Sequence, residues 1–222
     1  MSNRVAVVTG TSRGIGHAMA VLLLEKGWQV VGTSTSGTGP IEHDYFHSIA
    51  LDLAKSDSIA QFAAQTQSLV KKIDLLVNNA GILLESWSTD KVDVNILRRT
   101  FEVNVFGTID LTERLVPALD KGGKIINLSS AWGTFSDTAF SAHVPHYKMS
   151  KTALNMYSKL LAARLAKETI SVYAVNPGWV RTDMGTHAAP KSPQAAALDL
   201  YHMATHSEPS GTFFNGHSLG QW

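Results

Sequence analysis

The chain has 222 residues, of which 44% are hydrophobic, and its 19 basic residues nearly balance its 18 acidic residues. This composition predicts one globular domain over residues 1–222, argues against a disordered chain and offers no basic run for binding nucleic acid. The absence of cysteine excludes a disulfide framework, a thiolate nucleophile and a thiolate metal site, and it indicates a reducing compartment.

The beginning of the chain predicts where the protein resides. Residues 1–4 lead into an apolar strand without a charged leader and hydrophobic stretch. No apolar run reaches the length that spans a membrane. We therefore expect a cytoplasmic protein that does not bind a membrane.

Short β-branched apolar runs alternate with longer amphipathic segments along the chain. In the first half they predict a strand at 5–8, a helix at 15–26, a strand at 28–33, a strand at 48–51, a helix at 57–72 with Ser56 as its cap, and a strand at 74–77. In the second half they predict a helix at 98–119 that Pro117 interrupts or ends, a strand at 124–128, a helix at 146–167, a strand at 170–174, a helix at 194–204 and a strand at 212–214. This order predicts a doubly wound α/β fold, with about seven mostly parallel strands and helices on both faces.

A glycine-rich turn lies between the first predicted strand and the first helix. Residues 9–16 read Thr-Gly-Thr-Ser-Arg-Gly-Ile-Gly, with the spacing Gly-x3-Gly-x-Gly rather than G-x-G-x-x-G. Glycines at such a turn let backbone N–H groups and the helix N-terminus approach a pyrophosphate. A glycine-rich turn without a ligand is the alternative for this segment taken alone.

Tyr147 and Lys151 are four residues apart in a predicted helix, so both side chains can reach a common ligand. A nearby ammonium, together with the positive ring of an oxidised nicotinamide, favours the phenolate, so we expect a lowered Tyr147 pKa. Ser129 and Ser130 end the strand at 124–128, at the sheet edge where doubly wound folds bind ligands. The Tyr–Lys spacing is common by chance, and its position after these serines makes it a candidate catalytic pair.

Four segments resemble the short-chain dehydrogenase/reductase family and occur in the family's order. They are residues 9–16, Asn78-Asn79-Ala80-Gly81, Tyr147-x3-Lys151 and Asn176-Pro177-Gly178. The resemblance implies a Rossmann-type fold and an NAD(P)-dependent oxidoreductase that acts on CH–OH or C=O groups. Residues 177–185 and 211–215 resemble in particular the carbonyl-reductase subgroup that contains Sniffer-like and C-factor-like proteins.

The resemblance also implies where the cofactor binds. The residues are Gly10, Ser12, Arg13, Gly14, Ile15 and Gly16, then Ser34, Thr35, Asp52 and Leu53, then Asn79, Ala80 and Gly81, and finally Tyr147, Lys151, Pro177, Gly178, Val180 and Thr182. Relatives that use NAD carry an acidic residue where Ser34 and Thr35 stand, so its absence, together with Arg13, favours NADP(H) over NAD(H). A solvated loop cation is the alternative for Arg13, and a strand-end cap is the alternative to an adenine contact for Asp52. Asn78 is expected to pin neighbouring strands.

The catalytic set that the resemblance implies is Asn104, Ser130, Tyr147 and Lys151. Tyr147 would exchange a proton with the substrate oxygen, Ser130 would orient that oxygen, and Lys151 would hold the nicotinamide ribose. Asn104 would distort its helix and hold a water that connects the lysine to solvent, and a helix–helix hydrogen bond is its alternative. Tyr147 follows Ser130 by 17 positions, more than in many relatives, so residues 132–145 are expected to include an insertion. The choice between Ser129 and Ser130 stays open.

The substrate would lie beside the loop that follows the strand at 170–174. The family match implies that Val180 and Thr182 contact the nicotinamide carboxamide, and Ser130, Trp132 and Trp179 are the candidate substrate-pocket residues. Phe135 and Phe140 are further aromatic candidates, and plain packing is equally open for these aromatic rings. A short substrate loop at about 183–196 suggests an open site.

Three other predictions concern metals, assembly and a competing function. The pairs His43/His47 and His202/His206 have helical spacing but lack an acidic third ligand, so we predict no metal. The helix at 146–167 carries more apolar side chains than one sheet-facing stripe needs, which predicts a homodimer or homotetramer. Against the hypothesis of an enzyme for small carbonyls or alcohols stands a C-factor-like signalling or regulatory protein that binds cofactor with little turnover.

Overall fold

The computed structural model describes residues 4–136 and 140–222. Residues 1–3, with which the sequence begins, and residues 137–139, inside the predicted insertion, lie outside the described residues. The strands of the described part form one sheet of eight, in the order β3-β2-β1-β4-β5-β6-β7-β8.

The strands confirm the predicted doubly wound sheet and add one strand to it. Their bounds are β1 Val5–Val8, β2 Gln29–Ser34, β3 Phe46–Ala50, β4 Ile73–Asn78, β5 Leu119–Leu128, β6 Ser171–Asn176, β7 Thr212–Asn215 and β8 Ser218–Leu219. Neighbouring strands are parallel except β7 and β8, which are antiparallel. The prediction of about seven strands missed β8 because two exposed residues make no apolar run.

Six α-helices connect the strands in the described part of the chain. They are α1 Gly14–Glu25, α2 Ser56–Leu69, α3 Val94–Phe101, α4 Thr108–Leu115, α5 Pro145–Leu165 and α6 Pro193–Thr205. The prediction that Ser56 caps α2 was wrong by one residue, because Lys55 holds the capping position and Ser56 is the first helical residue. The Ser56 hydroxyl turns instead towards Asp110 Oδ2, 3.5 Å away.

The single helix predicted at 98–119 is four elements. Asp93 Oδ1 accepts the N–H groups of Asn95 and Ile96, so α3 starts at Val94, earlier than predicted. A π-helical turn, Glu102–Gly107, separates α3 from α4, and a 3₁₀ turn, Val116–Ala118, contains the proline. Strand β5 then begins at Leu119, five residues before the predicted start at 124.

The sheet is buried between two apolar layers. On one face, Phe62 of α2, Leu111 of α4 and Leu161 of α5 pack in one cluster with strand side chains such as Val7. On the other face, residues of α1 and α6 such as Leu23 and Leu200 form the second cluster. Each fully buried large side chain contributes about 1.5–3 kcal/mol to stability. This rigid double layer holds the strand ends that carry the site.

The strand order determines where a ligand can enter. The connections run outward in opposite directions from the neighbouring strands β1 and β4. Because the connections on the two sides diverge there, a crevice opens at the carboxyl ends of these strands.

Candidate active site

The crevice is a cleft of about 990 Å³, and most of the predicted site residues line it. The predicted residues that line it are Gly10, Ser12, Arg13, Gly14, Ile15, Ser34, Thr35, Asp52, Leu53, Asn79, Ala80, Gly81, Ser130, Trp132, Tyr147, Lys151, Pro177, Gly178, Trp179, Val180 and Thr182. Gly16 is buried under the glycine turn, and Asn104 lies behind Gly81, so neither is among the lining residues.

The glycine turn has a backbone that only glycine adopts easily. Gly10 and Gly14 have φ angles of 73° and 61°, in the left-handed region. A Cβ on Gly16 would stand 2.2 Å from the carbonyl oxygen of Gly10. Arg13 provides no side-chain cap for α1. The first turn of α1 therefore presents N–H groups suited to an anionic ligand.

Thr9 and Asn79 hold the glycine turn against the end of β4. Asn79 Nδ2 donates to the carbonyl oxygens of Thr9 at 2.7 Å and Gly10 at 3.2 Å. The Thr9 hydroxyl accepts the N–H groups of Asn79 at 3.0 Å and Ala80 at 2.9 Å. Asn78, as predicted, links neighbouring strands, since its Nδ2 donates to Asn127 Oδ1 at 2.7 Å. The Asn-Asn motif is therefore a scaffold for the cleft as well as part of its lining.

The end of β2 carries hydroxyls where a carboxylate would stand in an NAD-type site. The Ser34 hydroxyl donates to the carbonyl oxygen of Thr38 at 2.6 Å, and Thr35 is exposed. Across the cleft mouth, Arg13 Nε lies 3.0 Å from Asp183 Oδ2, and both side chains are about three-quarters exposed. Such an exposed ion pair is weak, so Arg13 can turn to another anion.

Asp52 lines the cleft while binding its own loop. Its Oδ1 accepts the Ala54 N–H at 3.0 Å, and its Oδ2 lies 3.1 Å from Lys55 Nζ. The Ala54 N–H bond is the main cause that lowers the pKa of the Asp52 carboxyl. The alternative of a strand-end cap is therefore present in the protein, although Asp52 also borders the cleft.

Tyr147 and Lys151 lie at the start of α5 and border the cleft together. Lys151 Nζ is 5.5 Å from the centroid of the Tyr147 ring. It donates to the carbonyl oxygen of Leu128, the last residue of β5, at 2.7 Å. The helical spacing thus puts both groups on one face of α5, as predicted.

The two strand-end serines differ in how their hydroxyls are used. The hydroxyl of Ser129 is buried and donates to Asn155 Oδ1 of α5. Ser130 is partly exposed, and its hydroxyl accepts the Trp132 N–H at 3.1 Å. Ser130 therefore keeps its donor for a ligand in the cleft, whereas the Ser129 donor is already bound to Asn155.

Burial dominates the ionisation of the Tyr–Lys pair. It raises the pKa of Tyr147 and lowers the pKa of Lys151 to about 8. The expectation of a lowered Tyr147 pKa is wrong for the protein chain by itself, because loss of hydration around the phenol outweighs the nearby ammonium. Lys151 can consequently take up and release a proton near neutral pH.

Asn104 lies in the π-helical turn and binds two distant segments of the chain with its amide. Its Oδ1 accepts the Ile82 N–H at 2.8 Å, and its Nδ2 donates to the carbonyl oxygen of Ile82 at 2.8 Å. Nδ2 also donates to Ser150 Oγ at 3.1 Å. The helix is distorted at Asn104, as the resemblance implied, and π-helical turns occur frequently at functional sites. The amide itself ties the π-helical turn to the segment after β4 and to α5, so the helix–helix hydrogen bond that was its alternative is present in the protein.

The loop after β6 closes one side of the cleft. Gly178 has a φ of 84°, and Val180 is buried next to it. Arg181 Nη1 donates to the carbonyl oxygens of Ala189 and Pro190 at 2.9 and 2.7 Å, which ties the loop to itself. Helix α6 begins at Pro193, so the last four residues of the predicted substrate loop at 183–196 are helical.

Three tryptophans border the cleft that Tyr147 also borders. The ring centroid of Trp87 lies 5.4 Å from that of Trp132 and 6.3 Å from that of Trp179, and Trp132 meets the Tyr147 ring edge-on at 6.5 Å. The prediction missed Trp87, although an aromatic residue within the polar stretch 85–91 could have indicated it. Phe135 and Phe140 are 83% and 65% exposed and do not border the cleft.

The structure describes residues 4–136 and 140–222. In that part of the chain, no group of three or more His, Cys, Asp or Glu side chains is placed to hold a metal ion. The His202 and His206 rings stack with centroids 3.8 Å apart. None of the helices described has the length and apolar character needed to cross a membrane.

Comparison with known proteins shows which family the chain resembles. The sequence matches the short chain dehydrogenase family over residues 4–193. It is 33% identical over 201 residues to the 3-oxoacyl-[acyl-carrier-protein] reductase FabG of Aquifex aeolicus, covering 83% of this chain and 77% of that protein.

Solved structures resemble the whole chain. The NADPH-bound carbonyl reductase from chicken fatty liver has a TM-score of 0.90 and 26% identity, with 100% of both chains covered. The carbonyl reductase Sniffer of D. melanogaster has a TM-score of 0.87 and 25% identity over 100% of both chains. The chain belongs to the short-chain dehydrogenase/reductase family, with a likeness to the Sniffer carbonyl reductases, and is an oxidoreductase that acts on CH–OH and C=O groups.

Proposed function

We propose that the protein is an NADP(H)-dependent reductase of small carbonyl compounds, or dehydrogenase of the matching alcohols, with Tyr147 as its general acid and base. The observation that carries the proposal is the meeting of Ser130, Tyr147 and Lys151 in the cleft that also contains the glycine turn. The cleft suits a dinucleotide, because its glycines leave a cradle beside the N-terminus of α1 that side chains would fill.

Each residue has a distinct part in the proposed reaction. The bound nicotinamide would supply the hydride that the carbonyl carbon accepts. The free hydroxyl of Ser130 orients the carbonyl oxygen, and Tyr147 donates its phenolic proton to that oxygen. Lys151, whose pKa lies at about 8, then returns a proton to the phenolate. Asn104 supports this supply by holding the segment after β4 against Ser150, one residue before the lysine.

The preference for NADP(H) rests on charge. The end of β2 has no carboxylate to repel a 2′-phosphate, and Arg13 lies in the glycine turn with only an exposed ion pair to Asp183. Arginine binds phosphate through several parallel N–H donors. We assign Ser34, Thr35 and Arg13 to the adenosine ribose and its phosphate, and Asp52 to the adenine.

The substrate pocket and the surroundings of the enzyme complete the proposal. Trp132 and Trp179 border the cleft, and Trp87 contacts both of their rings. We assign these rings to the carbon skeleton of the substrate. A homodimer through α5 and a cytoplasmic location are also part of the proposal, the latter because a chain without cysteine fits a reducing compartment.

Replacing Tyr147 with phenylalanine tests the proposal directly. Tyr147→Phe removes the proton donor but keeps the ring, so we expect turnover to fall by about 10²–10⁴-fold. NADPH binding, measured by fluorescence titration, should stay unchanged. The exposed Tyr45 offers a matched control, since Tyr45→Phe should leave turnover intact.

Two results would contradict the proposal. Near-normal turnover of Tyr147→Phe would remove the tyrosine from the mechanism. A panel of aldehydes, ketones and alcohols on which the wild-type protein binds NADPH but turns nothing over would favour the signalling or regulatory alternative.

A further inference from the structure

Glu85 is a buried carboxylic acid that the proposed mechanism does not use. Its side chain is 0% exposed, and it does not border the cleft. Taking a carboxylate out of water is costly unless donors surround it, so a buried glutamate requires partners. Its partners lie 60 or more positions away in sequence, at the start of α5.

The first partner is the backbone of Tyr147. The Tyr147 N–H donates to Glu85 Oε1 at 2.9 Å. The residue at the capping position of α5, Val144, has left-handed φ and ψ angles of 51° and 52° and supplies no side-chain cap, and Pro145 follows it. Glu85 therefore caps α5 from another segment, where the helix dipole favours a negative charge.

The second partner is the ring of His146, which is completely buried. His146 Nε2 lies 2.8 Å from the backbone nitrogen of Asp93, which can only donate. Nε2 must therefore carry no proton, and the ring proton is on Nδ1. Nδ1 lies 3.2 Å from Glu85 Oε2, and the two buried atoms face each other without forming a hydrogen bond. Each oxygen of Glu85 thus faces a different donor.

The segment that carries Glu85 is bound to the start of α5 at two more points. The Val144 N–H donates to the carbonyl oxygen of Thr89 at 2.8 Å. Asp93, whose N–H binds His146, caps α3 with its side chain. Residues 85–93 therefore hold the first turn of α5, in which Tyr147 stands, from one side.

We propose that Glu85 is a positioning residue for Tyr147 and that His146 holds Glu85 in place. The carboxylate fixes the first turn of α5 relative to the end of β5, and so fixes the phenol relative to Ser130 and Lys151. This inference rests on the proposed role of Tyr147 as proton donor. It assigns no contact of Glu85 with substrate or cofactor.

Glu85→Gln is the sharpest test because it keeps the size and removes one acceptor. A glutamine can accept from the Tyr147 N–H with its oxygen, but its NH₂ group then faces the Nδ1–H of His146. We expect kcat to fall on the order of 10- to 100-fold through misplacement of the phenol. NADPH affinity and the KM for the carbonyl substrate should stay within about twofold, since other elements build those contacts.

Matched measurements separate positioning from a loss of folded protein. The exposed Glu42 supplies the control, and Glu42→Gln should behave as wild type. The solvent deuterium isotope effect on kcat should rise in Glu85→Gln, because proton transfer from a displaced phenol becomes slower. If the variant is only destabilised, the fraction of folded enzyme falls, but each folded molecule keeps its wild-type kcat. An unchanged kcat per NADPH-binding site and an unchanged isotope effect would therefore overturn the positioning role.

A double-variant cycle tests the part of His146. His146→Phe removes the Nδ1–H donor that would face the NH₂ group introduced by Glu85→Gln. The double variant should therefore lose less kcat than the two single losses multiplied together. Simple multiplication of the effects would overturn the role of His146. Wild-type kcat in Glu85→Gln would overturn the whole inference, while Tyr147→Phe decides the proposed function independently.

Discussion

Burial of the Lys151 ammonium lowers the free energy of unfolding of the protein. Burial lowers its pKa in the folded protein to about 8, whereas an unfolded chain has a lysine pKa of about 10.4. Between these values the unfolded state binds more protons than the folded state, so stability rises with pH. The penalty is present in full below pH 8 and disappears as the pH approaches the unfolded value.

This sign leads to a stability prediction. Raising the pH from about 7 to about 9.5 should increase the free energy of unfolding of wild type by about 2 kcal/mol more than that of Lys151→Met. Urea denaturation at each pH measures both. The exposed Lys167 gives the control, because Lys167→Met should retain the wild-type pH dependence. Parallel curves for wild type and Lys151→Met would show that the lysine is not desolvated as described.

Arg13 is the residue that should distinguish the two cofactors. A guanidinium bound to the 2′-phosphate contributes a charge-assisted interaction that NADH cannot make, so Arg13→Ala should weaken NADPH binding by about tenfold or more. NADH binding should change little. Isothermal titration with both cofactors measures this difference, and Arg98, which does not border the cleft, provides an Arg98→Ala control. Equal losses for both cofactors would assign Arg13 a structural role.

At the scale of elements, the glycine turn depends on close backbone packing between β1, α1 and β4. A Cβ at Gly16 would lie 2.2 Å from the Gly10 carbonyl oxygen and 2.4 Å from Asn79 Nδ2. Asn79 is the side chain that holds the turn, so no flexible neighbour can yield. The turn is therefore a closely packed unit whose shape the proposed pyrophosphate site requires.

Gly16→Ala should consequently damage cofactor binding and folding together. Overpacking of this kind lowers the free energy of unfolding by about 1–3 kcal/mol. The displaced turn should also weaken NADPH binding by about tenfold or more, a loss of similar free energy. Thermal melting and fluorescence titration measure the two effects. A Cβ added at Gly39 would meet no atom within 4 Å, so Gly39→Ala should leave both unchanged. An unaffected Gly16→Ala protein would contradict the close packing.

Helix α5 combines three roles at different positions along its length. Its first turn carries His146 and Tyr147, which meet Glu85, and Lys151 faces the cleft one turn later. Further along, Leu161 and Leu165 are buried in the apolar layer against the sheet. The hydrophobic layer thus anchors the helix that presents the proposed catalytic pair, and the buried glutamate binds its first turn.

For the whole molecule, the outer face of α5 is an apolar surface that the fold leaves uncovered. Met156 and Leu160 are 60% and 62% exposed, and Phe106 in the π-helical turn, an element that packs against α5, is 56% exposed. Leu154 and Leu161, by contrast, are buried. The surplus of apolar side chains in the sequence of this helix therefore divides into a core stripe and an exposed stripe. The exposed stripe is the surface on which we predict association of two chains.

Charged substitutions on that stripe should prevent association. We expect the variant with Met156→Glu and Leu160→Glu to sediment as a monomer in analytical ultracentrifugation at concentrations where wild type is a dimer. Leu198, 59% exposed on α6 in the opposite helical layer, serves as the control, and Leu198→Glu should still dimerise. A wild-type monomer at micromolar concentration would contradict the prediction.

Several features of the fold and the site could be predicted without the structure. The α/β alternation, the glycine turn and the Tyr147–Lys151 pair depend on periodicity or spacing within one short segment, which the sequence displays directly. Helix bounds were less predictable where tertiary contacts intervene. Helix α3 begins at Val94 because Asp93 caps it, and the helical segment at 98–119 is interrupted by the π-helical turn, in which Asn104 binds both the N–H and the carbonyl group of Ile82.

By itself, the sequence determined the class of fold, the alternation of its main strands and helices, the glycine turn, and the Tyr–Lys pair that we propose as catalytic. Tertiary structure alone decided that Ser129 is committed to Asn155 and that Trp87 joins the other tryptophans. It also decided that Glu85 binds Tyr147 across 62 positions and that burial raises the Tyr147 pKa. The physical reason is that hydrogen-bond partners and hydration depend on which distant segments pack together, and no local pattern records that.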